Sequence, residues 1–384
     1  MRRAAVLASV LLALLAGCQR RAPSPRDYLR DAWESYKPVY VAEPGYVLDR
    51  TRGDGQAISE GQGYALLRAA WMCDLPAFER TFRWVEANLR RPDGLYAWAW
   101  SPRTGTLIDS NSATDGDQEI AFALILAAHA FGRPDYESRA RELLVAIRTR
   151  EAIEVPGGWF PAAGNWAVDE RIVNLSYFLP YAYPDFARVD PEGRWGLVTD
   201  TGYALLERVL QQPGVVLPPD FMVVTPDGGI APLPESSTLG RDFSFDAMRL
   251  YFRVALDCAH FPRPQACDGP LRADALVALL RRDGAIYTRY ATSGRPLSTD
   301  ESLSFYGGIL PLLARQAPDY ARHLRAGKLA LPDLQAISDH PDRYYDLNWV
   351  WFGIAADEGL LVQSDRLRCA PDGGATGSRV EGQS

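Results

Sequence analysis

Apolar residues in this chain recur at spacings of three and four, and sustained alternation is scarce, so the pattern predicts helices with few strands. In the first half it predicts helices over Tyr28–Tyr36, Glu60–Met72, Ala77–Arg90, Asp115–Phe131, Asp135–Arg148 and Leu175–Phe186. In the second half the periodic stretches are Trp195–Gln211, Phe243–Leu256, Leu271–Arg281, Glu301–Arg315, Pro318–Arg325 and Arg343–Asp357. Twelve helices joined by short connections suit an all-α toroid of six helix pairs, the inner ones apolar on most faces and the outer ones amphipathic. An echo agrees with such a repeat: Gly63-Tyr64-Ala65-Leu66-Leu67 returns as Gly202-Tyr203-Ala204-Leu205-Leu206, both expected at helix starts. Segments rich in Gly, Pro and Trp, such as Pro92–Asn111, Val155–Val168 and Pro213–Arg241, read as loops and hairpins lining a cleft at one end.

Three predicted helix starts carry acids. The run from Ala113 to Phe131 opens Ala-Thr-Asp-Gly-Asp-Gln-Glu, with Thr114 and Asp115 as capping residues and Ile120, Leu124 and Phe131 as the buried stripe. Taken alone, Asp115 is an N-cap and Asp117 a group suited to the positive end of the helix dipole. Upstream, Ser59-Glu60-Gly61-Gln62-Gly63-Tyr64 sets a glutamate after a capping serine; downstream, Phe243-Ser244-Phe245-Asp246-Ala247-Met248-Arg249 sets an arginine one turn after an acid. In this order the motifs resemble glycoside hydrolase family 8, inverting endoglycanases built on an (α/α)6 barrel. The Ala113–Phe131 run fits the family signature, with Glu119 where many members carry aspartate. Two weaker similarities follow: Asn174-Leu175-Ser176-Tyr177 resembles an Asn-Pro-Ser-Tyr motif, and Tyr344-Tyr345-Asp346-Leu347-Asn348 resembles a Tyr-Tyr-x-x-Asn motif.

The resemblance implies that Glu60 is the general acid, Asp246 the base that activates water, and Asp115 a ligand of the sugar whose glycosidic bond is cut. Inverting enzymes hold the two carboxyls roughly 6.5–9.5 Å apart, leaving room for the water. An acid at a helix start is stabilised as its anion, so Glu60 needs apolar cover and the nearby Asp115 charge to raise its pKa. Arg249, on the same helix face as Asp246, would keep that carboxylate ionised and oriented. Asp117 and Asn111 are further candidates at the substrate end, Asp117 chiefly as support for its loop. Among 10 Trp and 18 Tyr, the rings expected against sugar faces are Trp100, Tyr177 and Tyr345, although core packing claims such rings as readily.

Composition narrows the class. With 384 residues, 47% hydrophobic and 23% charged, the chain can bury a large core, and a net charge of −7 leaves no basic footprint for nucleic acid. Met1-Arg2-Arg3 and the apolar run Ala4–Ala16 read as a secretory signal too short to span a bilayer. It ends Leu15-Ala16-Gly17-Cys18, which looks like a bacterial lipobox with Cys18 as the acylated first residue; Gln19 after it suggests the outer membrane. The expected organisation is a signal over 1–17, a lipidated tether over 18–26, the barrel over 27–369 and a disordered tail over 370–384. In an oxidising compartment Cys258 and Cys267, bracketing a proline-containing loop, are expected to pair, whereas Cys73 reads as a free thiol on an apolar helix face. The four histidines lack ligand spacing, so neither a metal nor a cofactor is expected.

The expected function is that of a monomeric, lipid-anchored, periplasmic or outer-membrane endo-β-1,4-glucanase. It would trim cellulose or a related exopolysaccharide beside its synthase machinery. Chitosan, xylan and mixed-linkage glucan are the rival substrates. Loops such as Gly157–Asn165 are not notably acidic, which disfavours a polyamine. A non-catalytic sugar-binding lipoprotein is the rival of another class, and the presence of both Glu60 and Asp246 counts against it.

Overall fold

Five helices are buried on nearly every face: α2 (Ser59–Trp71), α4 (Thr114–Phe131), α8 (Arg249–His260), α11 (Leu303–Gln316) and α14 (Tyr344–Asp357). The computed structural model describes residues 23–370; the expected signal, Cys18 and the tail beyond Ala370 lie outside them. Small residues let these helices approach closely. A Cβ on Gly307 would strike the backbone of Trp349 and Val350, and one on Gly353 would strike Gly307. Contacts run from α2 to α4 and from α8 through α11 to α14. The ring closes where Tyr64 meets Trp349 and Phe352 edge-on, at 5.7 and 5.3 Å between centroids. The sixth inner position is held by a 3-10 turn, Leu175–Tyr177, and the short α6, Tyr183–Val189. The single helix expected over Leu175–Phe186 is broken because Pro180 disfavours helix at Leu179 before it.

Amphipathic helices wrap the outside. They are α1 (Pro25–Tyr40), α3 (Leu75–Asn88), α5 (Pro134–Arg150), α7 (Trp195–Leu210), α10 (Ala273–Asp283) and α12 (Pro318–Ala326), with α9 (Pro264–Cys267) and α13 (Leu331–Ala336) as short additions. Ser24 caps α1, so Pro25 and Arg26 belong to the barrel rather than to a tether. The second copy of the echo, Gly202–Leu206, falls in the middle of α7 rather than at a helix start; Gly202 is needed there because a Cβ would enter the Phe178 ring.

Three small antiparallel sheets occupy the connections ahead of the inner helices. They are β1 (Ala57–Ile58), β2 (Ala99–Ser101) and β3 (Thr106–Asp109); β4 (Ala152–Val155) and β5 (Gly158–Pro161); and β6 (Ile172–Asn174), β7 (Phe221–Val224) and β8 (Ile230–Ala231). The inner helices α2, α4 and α14 start at this end. Helix α1 runs the other way: Tyr40 bonds His340 here, while Arg26 and Leu29 lie with Cys73 and Leu361 at the far end.

The pairing of Cys258 with Cys267 is present, but Cys73 is not free. It pairs with Cys369, Cα to Cα 5.5 Å, across 296 residues. Cys73 lies just past α2 with φ 58°, a left-handed turn that takes it off the helix face on which a buried thiol was expected. The bond fastens the segment after α14 to the floor of the barrel. Replacing Cys369 by Ser should therefore destabilise the fold by about 2–4 kcal/mol, read as a lower thermal unfolding midpoint under oxidising conditions. An unchanged midpoint would contradict the bond.

Candidate active site

The site forms where two helix starts touch. Glu60 and Asp115 stand in the first turns of α2 and α4, and neither helix is capped by a side chain, the caps being Ile58 and Ala113. Ser59 and Thr114, expected as caps, are helical. Gly116 permits the contact: a Cβ there would come within 2.8 Å of the Ser59 Cβ and 2.9 Å of the Glu60 nitrogen. Asp246 precedes α8 rather than standing within a helix begun at Phe243, and Arg249 is the first residue of α8.

Arg249 gathers the acids. Its Nη1 donates to Glu60 and, at 3.0 Å, to Asp115, while its Nη2 donates to Asp246. Tyr64 donates to Glu60 Oε1 at 2.6 Å. Arg249 is 1% exposed at its side chain and Asp246 32%. One guanidinium faces three carboxylates, so a proton on one of them relieves the excess negative charge. Burial raises the pKa of Glu60, Arg249 opposes it and Asp115 adds to the rise. The surrounding walls also raise Asp246 and Arg249 draws it back; with a third of the side chain open, water tempers the enclosure and favours the ion.

The remaining candidates divide between cleft and framework. Tyr177 lies under the Arg249 guanidinium, 5.3 Å from ring centroid to carbon, and Tyr345 donates to the Phe245 carbonyl at 3.0 Å. Trp100 packs between Tyr46 and Trp84 at 5.1 and 5.0 Å and, like Tyr177, leaves less than a tenth of its surface exposed. Asp117 is excluded from the cleft. It is fully buried and its Oδ1 accepts the Tyr96 N–H at 2.9 Å, tying the preceding loop to α4. Asn111 links loops, accepting from Asn165 Nδ2 at 3.3 Å. Glu119 is occupied by Arg253, 2.7 Å away in the core.

Sequence reasoning passed over three residues. Phe245 and Trp166 are the exposed aromatics of this end, Phe245 packed edge-on to Phe305 and Tyr345 beside Asp246, and Trp166 next to the Asn165 that bonds Ser112. Phe245 could have been found from its place beside the acid. Asp220, whose carboxyl bonds the turn carrying Asp246, has no local signal in the sequence.

A helix toroid whose inner helix starts converge on an arginine and three carboxylates has the layout of a glycoside hydrolase. The family model for glycosyl hydrolases family 8 matches residues 1–325, and the chain belongs to that family. It is 31% identical to an endoglucanase of Xanthomonas axonopodis pv. citri over 89% of this chain and 87% of the relative. It is 27% identical to an endoglucanase of Salmonella typhi over 89% of this chain and 91% of that one. The fold matches that of an endo-β-1,4-glucanase from Acetobacter xylinum with a TM-score of 0.71, at 23% identity over 88% of this chain and 99% of the other.

Beneath the site lies a second acid pair. Glu151 accepts from Ser112 Oγ at 2.6 Å, and its other oxygen, like Asp117 Oδ2, is buried without a partner. Burial pushes Glu151 up to about 8. Between its unfolded value near 4.3 and about 8, the folded chain keeps a proton that the unfolded chain has lost. The contribution to stability is thus full in acid, falls as pH rises and levels above about 8. Glu151→Gln should narrow the gap in unfolding midpoint between pH 5 and pH 8, with a gain at pH 8 on the order of a few degrees. Parallel pH profiles for variant and wild type would overturn the assignment.

Proposed function

We propose that the protein is an inverting endo-β-1,4-glucanase acting on cellulose or a related β-glucan. The observation that carries this reading is the Arg249 cluster, with Glu60 on one terminal nitrogen and Asp246 on the other. A guanidinium interposed between two carboxylates favours the wide spacing that inverting hydrolysis needs over the roughly 5–5.5 Å of a retaining pair. Glu60, raised by burial, gives its proton to the leaving oxygen, and Asp246, open to solvent, takes one from the attacking water. Asp115, which shares an Arg249 nitrogen with Glu60, is assigned to the sugar hydroxyls in this reading. Relatives named as endoglucanases support the glucan as substrate.

A single displacement on a β-linked glucan releases the α-anomer first. Proton NMR of a fresh cello-oligosaccharide digest should show α-anomer building up ahead of mutarotation. Initial β-anomer would overturn the inverting mechanism and the role of Asp246.

The lipobox motif further supports a lipid-anchored enzyme of the cell envelope; its work beside an exopolysaccharide synthase and export machinery is part of the same proposal. No helix among the described residues is long and apolar enough to cross a membrane, so the acyl chains on Cys18 would supply the anchor. Helix α1 starts at the barrel end away from the cleft and spans about 24 Å at 1.5 Å per residue, so an anchor there leaves the cleft facing away from the bilayer. Cys18→Ser should move the protein from the membrane to the soluble fraction of expressing cells. Equal partitioning of the two forms would exclude the anchor.

A further inference from the structure

We propose that Asp220 is the positioning residue for Asp246, holding that carboxylate where it can take a proton from the attacking water. This rests on the base role given to Asp246 above. Asp220 stands one residue ahead of β7, and its side chain is buried. Its Oδ1 accepts the backbone N–H of Ser244 at 3.0 Å and of Ala247 at 2.8 Å, two residues before Asp246 and one after it. Those donors open the turn that leads into α8, in which Met248 N–H bonds Ser244 and Arg249 N–H bonds Asp246 at 3.2 and 3.1 Å. A free N–H at a helix start is ordinarily met by the side chain of the capping residue. Here the acceptor comes from the residue leading into β7, 24 residues before Ser244 and 27 before Ala247.

The acceptor is itself fixed. The Asp220 N–H bonds the Asp242 carbonyl at 2.8 Å and the Phe221 N–H bonds Gly240 at 3.1 Å, locking the strand to the segment just before the turn. A Cβ on Gly240 would come within 2.8 Å of Asp220 Oδ2, so the glycine leaves the carboxyl its place. The charged groups whose fields reach Asp220 are Asp246 and Arg249; burial first and Asp246 second push its carboxyl up to about 8. At pH 6 Asp220 therefore acts as a neutral acid, and its working part is the oxygen that accepts two N–H groups. Asparagine keeps that oxygen and alanine does not.

The test compares Asp220→Asn, Asp220→Ala, Gly240→Ala and Asp246→Asn in the full chain, with kcat and KM on a soluble β-glucan at pH 6. Asp220→Ala should lower kcat about 100-fold, the cost of a roughly 1 Å misplacement, with KM within about threefold of wild type. Asp220→Asn should keep kcat within about threefold, and Gly240→Ala should lower kcat in the direction of Asp220→Ala. A folded Asp220→Ala enzyme with wild-type kcat, or an Asp220→Asn enzyme as slow as Asp220→Ala, would overturn the proposal. Should Asp220→Ala not fold, wild-type kcat in Gly240→Ala would do so. Asp246→Asn separates the two readings: if it stays active, the base assignment fails, whereas an inactive Asp246→Asn beside a fully active Asp220→Ala removes the positioning role alone.

Discussion

The site depends on one imbalance of charge, a single buried arginine against three carboxylates. Two unit charges about 4 Å apart interact by roughly 4 kcal/mol at the effective dielectric of a protein surface. That is enough to carry a carboxyl from its usual range to neutrality. Arg249 offsets such repulsion but touches Glu60, Asp115 and Asp246 at once, so it cannot neutralise them all. The proton that remains is the one that the proposed general acid, Glu60, would give up. Without Arg249 the cluster would be an unpaired set of buried acids, costly to fold and mostly protonated.

Exposure then separates the roles proposed for Glu60 and Asp246. Glu60 shares its arginine nitrogen with Asp115 and is mostly enclosed, so the protonated form is favoured there. Asp246 has a terminal nitrogen to itself and a third of its side chain open, a setting for an ion in contact with water. The proposed acid and base thus differ in surroundings more than in chemistry, the pattern by which paired carboxyls are pushed to different pKa values.

Much of this was legible in the sequence because the relevant signals are local. Glu60, Asp115 and Asp246 sit in motifs at helix starts, and the apolar periodicity located most helices to within a few residues. What failed depends on distant contacts. Cys73 shows an apolar helix neighbourhood in sequence, and only the return of the chain after α14 supplies Cys369. The helix expected from Phe243 begins at Arg249 because Asp220, far upstream, captures the N–H groups at its head. Trp100 reads as a cleft ring from its loop-like surroundings, and only the pairing of β2 reveals its packing against Tyr46 and Trp84. Asp117 lies two residues from Asp115, about 200° around a helix, and that rotation takes it from the cleft into the wall.

The same close packing that builds the toroid also sets the geometry of the carboxylate cluster. Gly116 lets α4 start against Ser59 and Glu60, and Gly63 lets α2 lie against Glu119 with 2.9 Å to a hypothetical Cβ. A side chain at either position would separate the two inner helices before it disturbed any catalytic group directly. Because Arg249 reaches both Glu60 and Asp115 from one nitrogen, such a separation would break one of those two contacts. The spacing of carboxyls in the cleft is therefore inherited from backbone contacts in the core, and Gly63 and Gly116 help to set it without bearing a functional group.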